Sequence, residues 1–196
     1  VLKKGQSILV QVAKDTIGTK GVRLTGYITL PGRYVVLMPT VRTLGISRKI
    51  EDETERERLR RLLQSIRLES AGLILRTAAE GKTKGDFLND IKYLCEVWDK
   101  IKGKSETVQA PCLLHEDLGP ILRMVRDAFA SDVARLTIDS ETEHNRILNF
   151  LAQFAPQLKK RCRLYRGKPP LFEKMGLEDE IEKVLKRKFY LKSGGY

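Results

Sequence analysis

The chain of 196 residues predicts a mixed α/β (α+β) fold that opens with part of a small antiparallel β-barrel. Three features predict it. Near the start, "SILVQVAK", the turn "DTIGTKG" and "VRLTGYITLPGRYVVLMP" follow one another as strand, basic turn, strand. That layout is typical of small antiparallel barrels that bind oligonucleotides. In the middle, the apolar run "GLILRT" leads through a small-residue loop into a long pattern of helical period. From about Asp117 onward, helical and strand-like segments alternate, which implies a second α/β unit.

Taken in order, Ser7–Lys14 reads as a strand with a mostly buried face, and the run from Val22 to Pro39 as two strands broken at Pro31-Gly32. "TVRTLGISRKI" is a loop rich in donors. Acidic residues open "EDETERERLRRLLQSI", where the positive end of a helix dipole favours them. Leu59, Leu62, Leu63 and Ile66 recur at helical spacing and form its buried stripe. "GLILRT" is apolar enough for a central strand. In "GDFLNDIKYLCEVWDKIKGK", Phe87, Ile91, Leu94, Trp98 and Ile101 share one face, which assigns the single tryptophan to the core and not to a base-stacking platform. "LGPILRMVRDAFA", "ETEHNRILNFLAQF" and "LEDEIEKVLKRKF" are helices, and "VARLTID" and "CRLYRG" are strands. "FYLKSGGY" reads as a last strand followed by hairpin glycines. With no initial Met and a strand that awaits its partner, the sequence is expected to be a piece of a longer protein.

The formal charge of +12 points to an anionic partner, most often nucleic acid. Its distribution is more telling than its sum. Residues 1–50 hold nine Lys or Arg against the single acid Asp15, and residues 159–192 hold twelve bases against five acids. Two basic flanks around a mildly acidic centre suggest separate phosphate-tracking surfaces. Cys95, Cys112 and Cys162 form no Cys-x-x-Cys pair and read as reduced thiols; with only His115 and His144 beside them, no zinc site of this chain is expected. No apolar run approaches the length of a membrane span.

Gly81-Lys82-Thr83 imitates the end of a Walker A loop, Gly-x-x-x-x-Gly-Lys-Ser/Thr. Arg76, however, stands where the first glycine belongs, and its side chain has no room in a tight phosphate turn. That argues against a nucleotide hydrolase, as does the lack of an apolar strand ending in a clear magnesium-binding Asp downstream; a small NTPase would need ATP or GTP binding that is lost on Lys82→Ala. Arg76 and Thr77 carry a different reading. An arginine at the end of an apolar strand can bind phosphate through its planar fork, the hydroxyl adds a donor, and Ala78 and Ala79 let a ligand approach. The same arginine can equally close a core against a carboxylate, and the residues alone leave both readings open.

The blocks "GQSILVQVAKDTIGTKGVRLTGYITLPGRYVVLMP", "GISRKIE", "GLILRTAAEGK", "APCLLHED", "LTID" and "PPLFEKMGLEDEIEKVLKRKFYLKSGGY" resemble, in order, the ribonuclease E/G family. The resemblance implies an endoribonuclease that cuts single-stranded RNA, in RNA processing and messenger decay. It divides the chain into the C-terminal part of an OB-type RNA-binding barrel (1–27), a 5′-sensor subdomain (28–121), a ribonuclease-H-like subdomain (122–190) and the start of a DNase-I-like catalytic domain (191–196). The family's catalytic aspartates with their Mg2+, and its zinc-binding Cys-x-x-Cys between subunits, fall outside these residues. This chain alone is therefore expected to bind no metal and to be catalytically inactive, and Asp139 reads as structural.

The resemblance also implies roles. Arg76 and Thr77 match the pair that grips a 5′-monophosphate, Gly32 and Val36 match the lining of the pocket for the terminal nucleotide, and Arg48 matches an arginine of the "GISR" block. Lys14 and Lys20 match basic RNA contacts on the barrel, where Ile17 replaces an Arg of some relatives. The implied partner is single-stranded RNA, preferably 5′-monophosphorylated, the parent protein is a homo-oligomer, and its location is the bacterial cytoplasm or the plastid stroma. A rival reading is a stand-alone, non-catalytic RNA-binding or assembly module derived from the same family.

Overall fold

The computed structural model describes residues 3–16 and 18–196. The chain divides into two units, Val1–Asp127 and Ala128–Tyr196. The first opens with a two-stranded antiparallel sheet, β1 (Gln11–Lys14) against β2 (Arg23–Thr25). A four-stranded mixed sheet follows, built from β3 (Leu30–Pro31), β4 (Val35–Met38), β5 (Leu44–Ile46) and β6 (Gly72–Leu75) in the order β3-β4-β6-β5. β4 pairs antiparallel and β5 parallel with β6, so β6 is central, as its apolar sequence predicts.

Strand alternation gives this sheet two unlike faces. Val35 and Leu37 of β4 stand opposite Leu75 and Leu73 of β6, and all four are buried. Onto this face pack α1 (Glu53–Ser65) and α2 (Lys84–Thr107). Leu59 and Leu63 of α1, and Phe87, Ile91 and Leu94 of α2, fill the core between sheet and helices. Each such side chain contributes roughly 1.5–3 kcal/mol on burial. Trp98 packs half-buried at the edge of the same core. Both helices begin at side-chain caps: Asp52 accepts from Glu55 N–H, and Thr83 forms a reciprocal capping box with Asp86. A third helix, α3 (Pro120–Ala128), buries Leu122, Val125 and Arg126.

In the second unit, β7 (Leu136–Ile138), α4 (Glu141–Phe154) and β8 (Cys162–Leu164) form a strand–helix–parallel strand motif. Ile147, Phe150 and Leu151 of α4 are its buried face. Two short helices, α5 (Leu171–Lys174) and α6 (Leu177–Leu185), follow.

Four local expectations are corrected. "TVRTLGISRKI", expected to be a loop, contributes the strand β5, which pairs parallel with β6. Ser7–Val10 forms no strand, and Ile8, Val10 and Val12 are exposed, because among the described residues β1 pairs with β2 alone. The run from Val22 to Pro39 yields three strands, β2, β3 and β4. "FYLKSGGY" closes into a turn in place of a strand: Leu191 N–H donates to Gly195 O, and Gly194 sits at a φ of 89°. Among the described residues, no helix is long and apolar enough to cross a membrane.

Candidate functional site

The site grows from the end of β6. Arg76 N–H donates to Tyr34 O at 2.8 Å and extends the β4–β6 ladder past the strand, while Ser47 N–H donates to Leu75 O at 2.8 Å and does the same for β5. Thr77–Ala79 then make a single 3-10 turn, closed by Ala79 N–H to Arg76 O at 3.0 Å. Because β5 and β6 are parallel, Ser47, Arg76 and Thr77 emerge together at the carboxyl ends of two strands, the edge where open α/β sheets bind ligands. Ser47 Oγ and Thr77 Oγ1 are 3.2 Å apart. A cavity of about 480 Å3 opens over them, lined also by Lys49, Ile74 and Ala78.

Arg76 is held as well as displayed. Its Nη1 donates to Gly32 O, to Arg33 O at 3.4 Å and to Asp127 Oδ1 at 2.8 Å, and its Nη2 donates to Asp127 Oδ2 at 3.4 Å. Asp127 also accepts from Arg126 Nε at 2.9 Å and Nη2 at 3.0 Å. Partial burial raises the Asp127 carboxyl, but the hydrogen bonds and charges of Arg126 and Arg76 outweigh it and hold the pKa at about 2. Arg126 is buried and donates through Nη1 to Pro31 O at 2.9 Å. The buried Arg33 donates to the carbonyls of Val125 and Arg126.

The turn between β3 and β4 is fixed from its other side by Asp90 of α2. This carboxylate accepts from the N–H groups of Arg33 (3.1 Å), Tyr34 (2.8 Å) and Val35 (2.9 Å). Burial pushes its pKa up, against the pull of those three donors and the Arg33 charge. Gly32 is required here for space: a Cβ would lie 2.6 Å from Asp90 Cγ.

The expected site residues fall into three groups. Arg76, Thr77 and the Gly32 carbonyl meet. Val36 stands beside Ile74 on the sheet face away from the core, half-buried and one strand from the cavity. Arg48 is exposed, and the cavity lining takes its neighbours Ser47 and Lys49 in its place. Lys14 and Lys20 are exposed residues of the N-terminal hairpin region, where Lys14 pairs in register with Arg23. Ile17 lies outside the described residues.

Sequence reasoning missed Ser47, Lys49, Asp127 and Asp90. Residues 47–50 form a turn closed by Ile50 N–H to Ser47 O at 3.3 Å, so no strand alternation marks Ser47 and Lys49 in the sequence. Gly81-Lys82-Thr83 is a helix entry: Gly81 N–H donates to Glu55 Oε1 at 2.9 Å, Thr83 caps α2, and Lys82 Nζ lies 5.8 Å from the Tyr34 ring centre. The cysteines are free, and among the described residues no group of three or more His, Cys, Asp or Glu is placed to hold a metal ion.

Fold and site together define an α/β protein with a cationic, hydroxyl-lined cavity at the carboxyl edge of its sheet. Comparison with known proteins takes this further. Residues 29–196 match the Ribonuclease E/G family, and the chain belongs to it. It is 39% identical over its whole length to Ribonuclease G of Escherichia coli, covering 40% of that protein. It is 40% identical to Ribonuclease E of Nostoc sp., covering 29% of it, and 38% identical to Ribonuclease E of Haemophilus influenzae, covering 21%. The chain thus spans about two-fifths of the Ribonuclease G relatives it matches.

Proposed function

We propose that this chain is the RNA-binding, 5′-monophosphate-sensing portion of an endoribonuclease of its family. In this reading it comprises the end of an OB-type barrel, a 5′-sensor subdomain and a ribonuclease-H-like subdomain. The observation that carries the reading is the convergence of Arg76, Lys49, Thr77 and Ser47 on one cavity at the ends of β5 and β6. Arg76 and Lys49 supply two positive charges, which match the near-dianionic charge of a 5′-monophosphate. A 5′-hydroxyl offers them nothing to neutralise, and a 5′-triphosphate brings charge that these two cations leave unpaired. Exposed Lys14 and Lys20 add a salt-sensitive attraction for the RNA backbone.

Binding at a distance from the scissile bond serves the parent enzyme by holding the RNA in register for cleavage, in the cytoplasm or the plastid stroma. In this reading, cleavage and its Mg2+ belong to the remainder of a homo-oligomeric parent. The test compares the affinity of the chain for 5′-monophosphorylated and 5′-hydroxyl forms of one oligonucleotide by fluorescence anisotropy at fixed salt. Arg76→Ala with Thr77→Ala removes at least one charge-assisted hydrogen bond and is expected to erase a preference of about tenfold or more. An unchanged preference in the double variant would refute the reading.

A further inference from the structure

We propose that Asp127 is a positioning residue for this pocket: it grips the Arg76 guanidinium by its terminal edge and leaves the Nε edge for the phosphate. The inference rests on the sensing function proposed above. Nη1 of Arg76 is spent on Gly32 O, Arg33 O and Asp127 Oδ1, and one hydrogen of Nη2 points to Asp127 Oδ2. None of these bonds uses Nε or the second Nη2 hydrogen. Those two form the parallel pair of donors that fits two phosphate oxygens. Asp127 is not among the residues lining the cavity, so it approaches the guanidinium from outside and does not occupy the ligand's place.

Asp127 is well supported for this role. It belongs to the last turn of α3, where the helix dipole disfavours a carboxylate, so its place there depends on its partners. Arg126 clasps both of its oxygens, and Arg126 itself is buried and tied to Pro31 O. A free arginine side chain loses rotamer entropy when it binds a ligand. Here Asp127 removes that freedom beforehand, which is the gain of preorganisation.

The experiment is a double-mutant cycle on the 196-residue chain with Asp127→Asn, Arg76→Ala and their combination. The readout is the ratio of affinities for 5′-monophosphorylated and 5′-hydroxyl RNA, with Trp98 fluorescence following thermal unfolding of each variant. Loss of the Asp127 charge by itself favours the monophosphorylated RNA and raises the ratio, opposite in sign to the fall expected from lost positioning. Asp127→Asn is expected to lower the ratio about tenfold, the equivalent of one charge-assisted hydrogen bond, and not to lower it once Arg76 is Ala. A purely structural role would change the melting temperature without this dependence on Arg76. If Asp127→Asn does not fold, Asp127→Glu keeps the charge, displaces the carboxylate by one methylene, and carries the same expectations.

Three results overturn the inference. If Arg76→Ala abolishes the preference and Asp127→Asn preserves it, Asp127 does not position Arg76, and the sensing function stands. If Asp127→Asn strengthens the preference, the carboxylate competes with the ligand. If the unmodified chain shows no preference, or Arg76→Ala leaves it intact, the sensing function fails and this inference with it.

Discussion

Replacing Gly32 by alanine is a sharp test of how the turn beside the pocket is built. An added Cβ would lie 2.6 Å from Asp90 Cγ, with both carboxylate oxygens at least as close. An ordinary contact needs about 3.4 Å, so the carboxylate must retreat by about 0.9 Å. Its bonds from the N–H groups of Arg33, Tyr34 and Val35, now 2.8–3.1 Å, would then stretch beyond hydrogen-bond reach. That leaves a buried carboxylate stripped of donors and three N–H groups without their acceptor. Each such loss costs about 1–3 kcal/mol, and non-additivity among three bonds to one group leaves a total of about 3 kcal/mol or more.

For a chain of this size, that loss lowers the melting temperature by about 6–12 °C. Trp98, the single tryptophan, lies in the same unit and reports the transition by fluorescence. In an Asp90→Ala background there is no carboxylate to displace, so Gly32→Ala should cost less than about 1 kcal/mol there. Equal costs in the two backgrounds would mean that Asp90 is not what requires a glycine at position 32, and would refute the account.

Two further outcomes concern the helix entry and the charge network. Thr83→Ala removes the capping box of α2 and is expected to cost about 1 kcal/mol in urea unfolding while the proposed preference for 5′-monophosphorylated RNA stays as it was. Loss of that preference would mean that the Gly81-Lys82-Thr83 loop takes part in binding. Glu55 is held at about 2 by the hydrogen bond from Arg58 and the N–H of Gly81, and Asp127 is held at about 2 as described above. Depressed carboxyls stabilise the fold above their unfolded pKa, near 4, and lose that stabilisation as pH falls toward 2. Urea midpoints at pH 5, 4 and 3 should therefore fall steadily, and less steeply in Glu55→Gln; parallel slopes would show that Glu55 does not carry the effect.

Much of the first unit's core is legible because it is local. Leu59 and Leu63, and Phe87, Ile91 and Leu94, recur at helical spacing, and that spacing alone puts them on buried faces. β6 is recognisable as central from four apolar residues. Failures arise where a strand depends on a partner: Ser7–Val10 and the C-terminal "FYLKSGGY" have strand-like alternation, but alternation does not supply a neighbour to bond. In the pocket, Arg76 and Thr77 are conspicuous because they are adjacent and end an apolar strand. Asp127 is 51 residues from Arg76 in sequence, and "MVRDAF" carries no mark of its partner.

Asp90 was missed as well, although its position carries a signal that Asp127 lacks. It lies three residues after Phe87 and next to Ile91, on the buried stripe of α2, where an unpaired carboxylate would be costly. A charged residue in that position demands donors, and it finds them in the N–H groups of residues 33–35. The carbonyls of the same turn go the other way: Pro31 O to Arg126, Gly32 O and Arg33 O to Arg76. Acceptors and donors of one short turn are thus satisfied by opposite charges on opposite sides. The turn can neither shift toward α2 nor away from it without breaking bonds to a charged group. Arg76 takes its position from that fixed point, which is how a side chain at the end of a four-residue strand is held in one place. The consequence is that the pocket's geometry depends on Gly32 through its neighbours, even though glycine contributes no side chain to it.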